Sequence, residues 1–428
     1  MSTDAPSGLS VVHAATHEHT GAGTSALRIH RAVAKAGLRS QMLVLEGTGA
    51  APDVEVVLAP GRRRPLDLKL RAERVLLRLE RSAEPGYRSL GLVRGPGLAA
   101  LRRRRDDVVH LHWIPGLLGV ADVAAIDAPL VWTFHDQWPI CGAEHYTASA
   151  RPREGYTAQN RLPGSGGFDL DRWTWERKRA LWKDLAPVIV CPSRWLAAEV
   201  RASRLFGHCD VHVVPYPIDT ARYRPQDRAA ARASLGLPAE RRLMAFGAWE
   251  ALRDRRKGWH VLEQALRLLA ARGLGGAADL VVFGAEGGGR VHGVETHWPG
   301  FIRDPDRMRT LLAACDLLVV PSLQDNLPNT ILEAMACGTP VVGAQTGGIP
   351  DLVVHGETGL LAAAGDSAQL ADRLATLLAD DALRERFGRA ARERIERECS
   401  EAAVGARYAS LYRDAIAAGA ARRAIATR

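Results

Sequence analysis

Long apolar segments are missing from this chain. The longest apolar runs, such as residues 317–321, have the length of a β-strand and fall far short of the roughly 20 residues that a membrane-spanning helix needs. Residues 1–10 contain no basic stretch followed by an apolar one, so we expect no signal peptide. The six cysteines are scattered without a C-x-x-C pair. These absences predict a reduced, cytoplasmic protein without a disulfide framework.

The spacing of a metal site is also missing. Histidines are numerous early in the chain, but no nearby cysteines or carboxylates complete a zinc-like set. We further expect His110 and His112 to point to opposite faces of their strand. The sequence therefore predicts no metal ion.

What is present is the composition of a globular protein with an excess of positive charge. The chain has 428 residues, of which 47% are hydrophobic and 25% charged, and this length fits two domains better than one. The formal net charge of +9 favours anionic partners. Much of the excess lies in residues 62–105, the basic segment, which has fourteen Lys or Arg against four Asp or Glu.

The basic segment combines charge with apolar residues at helical spacing. Six of them approximate one helical face: Leu68, Leu70, Val75, Leu76, Leu77 and Leu79. Four arginines are interleaved: Arg71, Arg74, Arg78 and Arg81. Three interpretations stay open, namely a solvated surface helix, contact with an anionic membrane surface, and nucleic-acid binding. The last is disfavoured because no recognition motif accompanies the charge.

Strands and helices alternate in two series along the chain. The first series opens with a strand at residues 9–15, a glycine turn at 20–24 and a helix at 25–36, the order that begins a parallel α/β domain. Its further strands are predicted at residues 41–46, 108–112, 130–134, 188–191 and 211–214, and its helices at 171–184 and 193–201 with Ser193 as N-cap. The irregular stretch 135–168 is long enough to suggest a functional loop.

The second series follows a Pro-Tyr-Pro hinge at residues 215–217. Its strands are predicted at residues 242–246, 280–283, 317–320 and 340–343, and its helices at 258–271, 329–336, 367–379 and 382–398. We therefore predict an α/β fold with two facing Rossmann-like domains, residues 1–216 and 217–400, and ligands in the cleft between them. A C-terminal helix at 401–428 is a candidate to pack back on the N-terminal domain.

Two carboxylates in the second domain indicate a sugar or ribose site. Asp325 lies in the loop after a strand, and Glu333 lies eight positions later in the following helix. Ionised carboxylates accept hydrogen bonds from paired hydroxyls, and the helix N-terminus between them offers N–H groups to a diphosphate. Taken alone, the same residues are also compatible with a solvated turn.

The segment around these carboxylates resembles the Glu-x7-Glu motif of the family-4 retaining glycosyltransferases, which have the GT-B architecture. Further segments resemble this family in order and spacing: HLHW at 110–113, VWTFHDQWP at 131–139, CPSRWL at 191–196, VPYPID at 214–219 and GGIPD at 347–351. The first two are similar to bacterial capsule and exopolysaccharide members. The resemblance extends over nearly the whole chain.

The resemblance assigns donor-binding roles in the second domain. Glu333 is implied to bind the ribose hydroxyls. Asp325 takes the first Glu position, which contacts the donor sugar, although its side chain is one methylene shorter. Backbone N–H groups at Asn326 and Leu327 are implied to face the diphosphate or the sugar.

A basic pair, Arg256 and Lys257, follows the strand that ends near Gly247. In the resembling family such a pair grips the diphosphate, and fixed cations stabilise the charge that develops as it departs. In the first domain, His135 is implied to face the reacting sugar. Gly21 and Gly23 are expected to allow close approach to a phosphate or an acceptor, although the full G-x-G-x-x-G pattern is absent.

The resemblance implies a retaining glycosyltransferase that moves a hexose-type sugar from a UDP- or GDP-sugar to a saccharide or lipid-linked acceptor. The work would belong to surface-polysaccharide or glycoconjugate assembly, with no cofactor besides the donor and no nucleic-acid partner. If the basic segment binds membrane, the protein is peripheral at the inner face of the plasma membrane. The alternatives are a GT-B nucleotide-sugar epimerase, for which we find no acid–base set, and a non-enzymatic basic binder of membrane or nucleic acid.

Overall fold

The computed structural model of the protein describes residues 8–84, 86–247 and 252–426. The chain forms two compact units. The N-terminal unit comprises the residues up to Pro215 together with those from Val404 onward, and the C-terminal unit comprises Tyr216–Ala403. The predicted domains and C-terminal helix include residues 1–7, 85, 248–251 and 427–428, which lie outside the described residues.

A parallel sheet forms the centre of the N-terminal unit. The strands of this unit are β1 (Ser10–His17), β2 (Arg39–Glu46), β3 (Val54–Val56), β4 (Glu80–Arg81), β5 (Val108–Leu111), β6 (Leu130–Thr133), β7 (Gly166–Gly167), β8 (Val188–Cys191) and β9 (Val211–Val213). Seven of them pair in the order β3-β2-β1-β5-β6-β8-β9, and β4 and β7 form a separate antiparallel ribbon. Apolar residues fill the inner strands, as a sheet covered on both faces requires.

Helices cover this sheet. They are α1 (Gly21–Lys35), α2 (Arg64–Leu76), α3 (Gly97–Arg102), α4 (Val120–Val123), α5 (Arg151–Glu154), α6 (Leu170–Leu181) and α7 (Arg194–Ala202). Helix α7 begins as predicted, because the Ser193 hydroxyl accepts a hydrogen bond from the N–H of Leu196 at 3.1 Å. Helix α1 begins at Gly21, so the predicted glycine turn is in fact its first turn.

The basic segment differs from the expected amphipathic helix. Helix α2 buries Leu66 and Glu73, whereas Leu68, Val75 and Leu79 are 69%, 56% and 56% exposed. The Glu73 carboxylate accepts hydrogen bonds from four consecutive backbone N–H groups, at residues 90–93, over 2.9–3.2 Å. The six apolar residues that were predicted to share one face have different environments, since Leu70 and Leu77 pack against the core whereas Leu68, Val75 and Leu79 face solvent.

A second parallel sheet forms the centre of the C-terminal unit. Its strands are β10 (Leu243–Gly247), β11 (Asp279–Phe283), β12 (Thr296–Gly300), β13 (Leu317–Val320), β14 (Val341–Gln345) and β15 (Gly359–Ala363). They pair in the order β12-β11-β10-β13-β14-β15. Apolar residues of β10, β11 and β13 pack against the helix that follows β10.

The remaining helices are α8 (Arg228–Leu235), α9 (Trp259–Ala271), α10 (Pro305–Ala314), α11 (Asn329–Ala336), α12 (Ile349–Leu352), α13 (Ser367–Ala379), α14 (Asp381–Cys399) and α15 (Glu401–Ala426). From Val404, helix α15 belongs to the N-terminal unit, where the Tyr412 hydroxyl lies 2.7 Å from Nδ1 of His110. Within the described residues, no helix is both long and apolar enough to cross a membrane. All six cysteines are free thiols.

Candidate active site

The strand order of the C-terminal sheet reverses between β10 and β13. The chain runs from β10 outward to β11 and β12, and then returns to the opposite side for β13, β14 and β15. Ligands of open α/β sheets bind outside the carboxyl ends of the strands at such a point. Gly247 is the last residue of β10, and the loops that follow β10 and β13 contain five more of the predicted donor-binding residues: Arg256, Lys257, Asp325, Asn326 and Leu327.

An ion pair joins these two loops. Lys257 and Asp325 are 68 positions apart in the sequence, yet Nζ of Lys257 lies 2.7 Å from Oδ2 of Asp325. The Asp325 residue is buried, with 7% of its surface exposed. Charged groups in such a setting interact strongly because little water screens them. The pair brings one cation and one carboxylate together at the carboxyl ends of adjacent strands.

Two glycines permit the close approach of the backbone around this pair. Gly258 has φ +76°, and a Cβ there would lie 1.9 Å from the carbonyl oxygen of Pro321. Gly347 has φ +54°, and a Cβ there would lie 1.7 Å from the carbonyl oxygen of Asp325. Any other residue at either position would be strained and would push the loops apart. Gly258 and Gly347 therefore allow the two loops to hold Lys257 and Asp325 next to each other.

The other predicted donor residues lie in the same two loops or on the helix that follows β13. Glu333 is buried on α11, and Asn326 and Leu327 are buried in the loop just before that helix. The Arg256 guanidinium lies 2.6 Å from the Asp254 carboxylate, so its own loop orients it. This arrangement places two cations, three carboxylates and a helix N-terminus at the carboxyl ends of the strands, a combination suited to a diphosphate that carries hydroxyl-rich groups.

In the N-terminal unit, His135 lies two residues after the end of β6. It is 8% exposed, and burial lowers the pKa of its imidazole to about 4. The imidazole is therefore neutral at neutral pH, where it can donate and accept a hydrogen bond. Its Nε2 lies 3.1 Å from Nδ1 of His112.

The neighbouring Asp136 anchors the loop that follows. Its carboxylate accepts hydrogen bonds from His145 Nδ1 at 2.6 Å, from Trp113 Nε1 at 2.9 Å and from the Trp138 N–H at 3.0 Å. Burial by itself would raise the pKa of Asp136, but the charge and hydrogen bond of His145 together with the other donors lower it. Asp136 is thus an ionised structural acceptor beside His135.

Sequence reasoning missed a buried lysine that holds the same loop. Lys178, on α6, donates hydrogen bonds to the carbonyl oxygens of Trp138, Cys141 and Gly142 at 2.5, 3.0 and 2.7 Å. Its Nζ also lies 3.9 Å from the centre of the Trp138 ring. No local sequence pattern signals this contact, because its partners are backbone atoms about forty positions away. The stretch after His135, predicted as an irregular loop, is therefore packed and fixed over these residues.

The two early glycines have different environments. A Cβ at Gly23 would lie 2.2 Å from the carbonyl oxygen of His17, so the close approach that Gly23 permits is to the protein's own backbone. A Cβ at Gly21 would meet nothing within 4 Å. Of the two glycines that were predicted to contact a ligand, only Gly21 has open space beside its Cα.

A cluster of buried histidines corrects one expectation. The ring centres of His110 and His112 lie 4.1 Å apart, so the prediction that they point to opposite faces is wrong. Residues two apart on a strand share a face. Ring nitrogens of His13, His110 and His112 all lie within 4.8 Å of one another. Both ring nitrogens of His110 form hydrogen bonds with hydroxyl groups, those of Tyr412 and Thr133.

Comparisons of the sequence match a glycosyltransferase family model in each unit. A family model described as Glycosyltransferase Family 4 matches residues 19–222, and one described as Glycosyl transferases group 1 matches residues 240–380. D-inositol 3-phosphate glycosyltransferase of Corynebacterium efficiens is 31% identical over 339 residues, which cover 73% of this chain and 72% of that protein. Alpha-maltose-1-phosphate synthase of Mycobacterium tuberculosis is 30% identical over 72% of this chain and 78% of that protein.

Solved structures agree on the fold. Sucrose-phosphate synthase from Thermosynechococcus elongatus matches with a TM-score of 0.65 and 19% identity, over 96% of this chain and 100% of that one. HepE from Anabaena, crystallised with UDP-glucose, matches with a TM-score of 0.64 and 17% identity, over 95% and 100%. At these identities the matches are evidence of the fold alone, and they confirm the predicted α/β architecture of the GT-B type.

Proposed function

Because the chain belongs to the glycosyltransferases that combine a family 4 and a group 1 domain, we propose that it moves a hexose-type sugar from a UDP- or GDP-sugar to a saccharide or lipid-linked acceptor. The transfer retains the anomeric configuration and serves surface-polysaccharide or glycoconjugate assembly of the capsule or exopolysaccharide type. The observation that carries this proposal is the 2.7 Å pair of Lys257 and Asp325, at the point where the strand order of the C-terminal sheet reverses.

The pair suggests how the donor is held. Without a ligand, Asp325 neutralises Lys257. A diphosphate carries more negative charge than one carboxylate, so we expect it to take over Lys257 and to leave Asp325 to accept a hydrogen bond from the sugar. Glu333 accepts the ribose hydroxyls, and Arg256 and the N–H groups before α11 add positive potential. Lys257 thereby stabilises the charge that develops on the departing nucleotide.

Retention follows without a protein nucleophile. The acceptor hydroxyl attacks on the face from which the diphosphate leaves, and the diphosphate oxygen accepts the proton. His135, neutral because its pKa is about 4, contributes a hydrogen bond to the reacting sugar. This role needs no charged acid or base near the anomeric carbon, in contrast to the carboxylate pairs of retaining hydrolases.

Product analysis tests the proposed reaction. With a matched donor and acceptor, NMR spectroscopy should show a glycoside with the donor's anomeric configuration, formed together with an equal amount of nucleotide diphosphate. Lys257→Ala is the control for background hydrolysis. Inversion would contradict the retaining mechanism. Isomerisation of the donor sugar without any acceptor would favour the epimerase instead.

The basic segment supports a second element of the proposal, reversible attachment to the inner face of the plasma membrane. Leu68, Val75 and Leu79 are exposed among its arginines. Phe168, whose N–H donates a hydrogen bond to the Leu79 carbonyl oxygen at 3.0 Å, is also exposed. Apolar side chains next to cations suit an interface that has anionic headgroups above acyl chains.

Removing four cations should release the protein from anionic vesicles. Each cation near such a surface contributes about 1 kcal/mol, and salt screens the attraction beyond about 10 Å at 0.1 M. The test variant replaces Arg71, Arg74, Arg78 and Arg81 with Gln. The control variant makes the same change in charge on the surface of the C-terminal unit, at Arg272, Arg290, Arg389 and Arg397. Sedimentation with anionic and neutral vesicles at low and high salt should separate the two variants. Equal sedimentation of wild type and both variants would show that the arginines are only solvated.

A further inference from the structure

The strand order of the N-terminal sheet reverses between β1 and β5. The chain runs from β1 outward to β2 and β3, and then returns to the opposite side of β1 for β5, β6, β8 and β9. In open α/β sheets, ligands bind outside the carboxyl ends of the strands at such a point. His17 is the last residue of β1, and Trp113 lies two residues after the end of β5. These two side chains therefore lie where the fold favours a ligand.

Three rings form a row at this point, which we call the aromatic row: His17, Trp113 and Tyr87. The ring centres of His17 and Trp113 lie 5.3 Å apart with 27° between the ring planes, and those of Trp113 and Tyr87 lie 5.7 Å apart with 45° between the planes. Tyr87 is 59% exposed, and the other two residues are half-buried. Tyr and Trp rings that are partly exposed and carry a polar group are common in binding surfaces.

Hydrogen bonds hold two of these rings in place without any ligand. Nε1 of Trp113 donates to the Asp136 carboxylate at 2.9 Å, and the backbone N–H of His145 donates to the carbonyl oxygen of Tyr87 at 3.2 Å. A surface that is already ordered loses little conformational freedom when a ligand binds. Asp136 directly follows His135, so the aromatic row is attached to the loop that carries the proposed contact to the reacting sugar.

The polar groups beside the row suit an uncharged ligand with hydroxyl groups. Nδ1 of His17 lies 3.1 Å from the Glu46 carboxylate, which also pairs with Arg63 at 2.6 Å. Burial lowers the pKa of His17, and Glu46 offsets this effect only in part. The imidazole is therefore neutral at neutral pH, and Glu46 neutralises Arg63. The Glu46 side chain is 42% exposed, and its carboxylate can accept a further hydrogen bond from a hydroxyl.

A pyranose ring combines the properties that this surface requires. Its C–H groups form an apolar face that packs on the electron-rich face of an aromatic ring, while its hydroxyls point outward to polar neighbours. We propose that the aromatic row binds a pyranose ring of the saccharide acceptor, with Tyr87 and Trp113 against the C–H face and Glu46 accepting a hydroxyl. The binding of a pyranose stands by itself, whereas its identity as the acceptor rests on the proposed function.

Binding is measured by ¹⁹F NMR spectroscopy of the full chain labelled with 5-fluorotryptophan, in the absence of any nucleotide. The signal of Trp113, one of ten tryptophans, is identified by its loss in Trp113→Phe. The probes are the methyl α-D-pyranosides of glucose, galactose and mannose, and the controls are sorbitol, a linear polyol, and uridine. We expect at least one pyranoside to shift the Trp113 signal saturably and both controls to leave it unchanged. The proposal is overturned if no pyranoside shifts the signal, or if sorbitol or uridine shifts it equally.

Three variants separate the ring of Tyr87 from its neighbourhood. Tyr87→Leu keeps an apolar side chain but removes the ring, and it should weaken pyranoside binding about five-fold. Tyr87→Phe keeps the ring and should bind as the wild type does. So should Trp173→Leu, which removes another exposed aromatic side chain of the same unit, on α6. Wild-type affinity in a folded Tyr87→Leu variant would show that Tyr87 is not part of the site. The wild-type titration decides the proposal even if Tyr87→Leu does not fold.

Kinetics then show whether the bound pyranose is the acceptor. In Tyr87→Leu we expect the KM for a saccharide acceptor to rise about five-fold, with kcat and the dissociation constant of the nucleotide diphosphate within about two-fold of wild type. Weaker binding of the nucleotide sugar with an unchanged acceptor KM would refute the acceptor assignment. Absence of transfer in the wild type would refute the proposed function, while the ¹⁹F titration would still decide whether the row binds a pyranose.

Discussion

Replacing His135 with alanine should lower turnover about a hundred-fold while changing nucleotide affinity little. His135 belongs to the N-terminal unit, whereas the predicted nucleotide site lies in the C-terminal unit. A fixed hydrogen-bond donor that acts on developing charge contributes about two orders of magnitude to kcat. Because the interaction strengthens only in the transition state, kcat should fall and the dissociation constant of the nucleotide should not.

Steady-state kinetics and nucleotide titration of the same preparation measure both quantities. His212→Ala is the matched control, since His212 lies in the same unit, is partly exposed and pairs only locally with Asp210. It should keep the turnover of the wild type. Near-normal turnover in a folded His135→Ala variant would make His135 a structural residue.

Lys257→Ala and Glu333→Ala should each weaken binding of the nucleotide diphosphate by about ten-fold or more. A buried charge-assisted hydrogen bond contributes about 1.5–3 kcal/mol, and each variant removes one from the ligand. Lys257→Ala also leaves the Asp325 carboxylate without its 2.7 Å partner, which adds repulsion of the diphosphate. We expect it to have the larger effect of the two.

Isothermal titration calorimetry measures these affinities, and circular dichroism checks the fold. The controls are Lys183→Ala and Glu385→Ala, whose side chains are largely exposed and form only local surface ion pairs. Such pairs contribute little, so both controls should bind as the wild type does. If folded Lys257→Ala and Glu333→Ala variants kept wild-type affinity, the donor site would have to lie elsewhere.

The elements that the sequence predicts well have strong local signals. Strands β8 and β13 are runs of apolar residues, and their predicted bounds agree with the structure. Helices α11 and α13 also have their predicted bounds. In these segments the apolar pattern and the flanking residues favour the same structure.

Five strands were not predicted. β3, β12 and β15 lie at three of the four edges of the two parallel sheets, and β4 and β7 form the separate two-stranded ribbon. β12 contains a proline, which has no N–H to donate and is therefore tolerated at a sheet edge better than in an interior strand. β15 begins with a glycine, which weakens its local strand signal. β3 is only three residues long. Their pairing depends on a neighbouring strand, which local periodicity does not reveal.

The candidate site, too, was predicted in part and missed in part. The two loops that carry Lys257 and Asp325 were predicted from strand order and from the family resemblance, but their direct pairing was not, because it joins residues 68 positions apart. The contact between the rings of His110 and His112 was missed for a different reason. His110 and His112 were assigned to opposite faces, although strand periodicity places them on one face. With that correction, the proximity of the two rings follows from the sequence.

The measurement that tests the central claim most directly is a calorimetric titration of the wild-type chain with UDP, GDP and their hexose derivatives. The account predicts one saturable site per chain for the uridine or the guanosine compounds. It also predicts that the free nucleotide diphosphate competes with the corresponding nucleotide sugar for this site. Binding of neither family, by a folded protein, would contradict the assignment of Lys257, Asp325 and Glu333 to a nucleotide-sugar site.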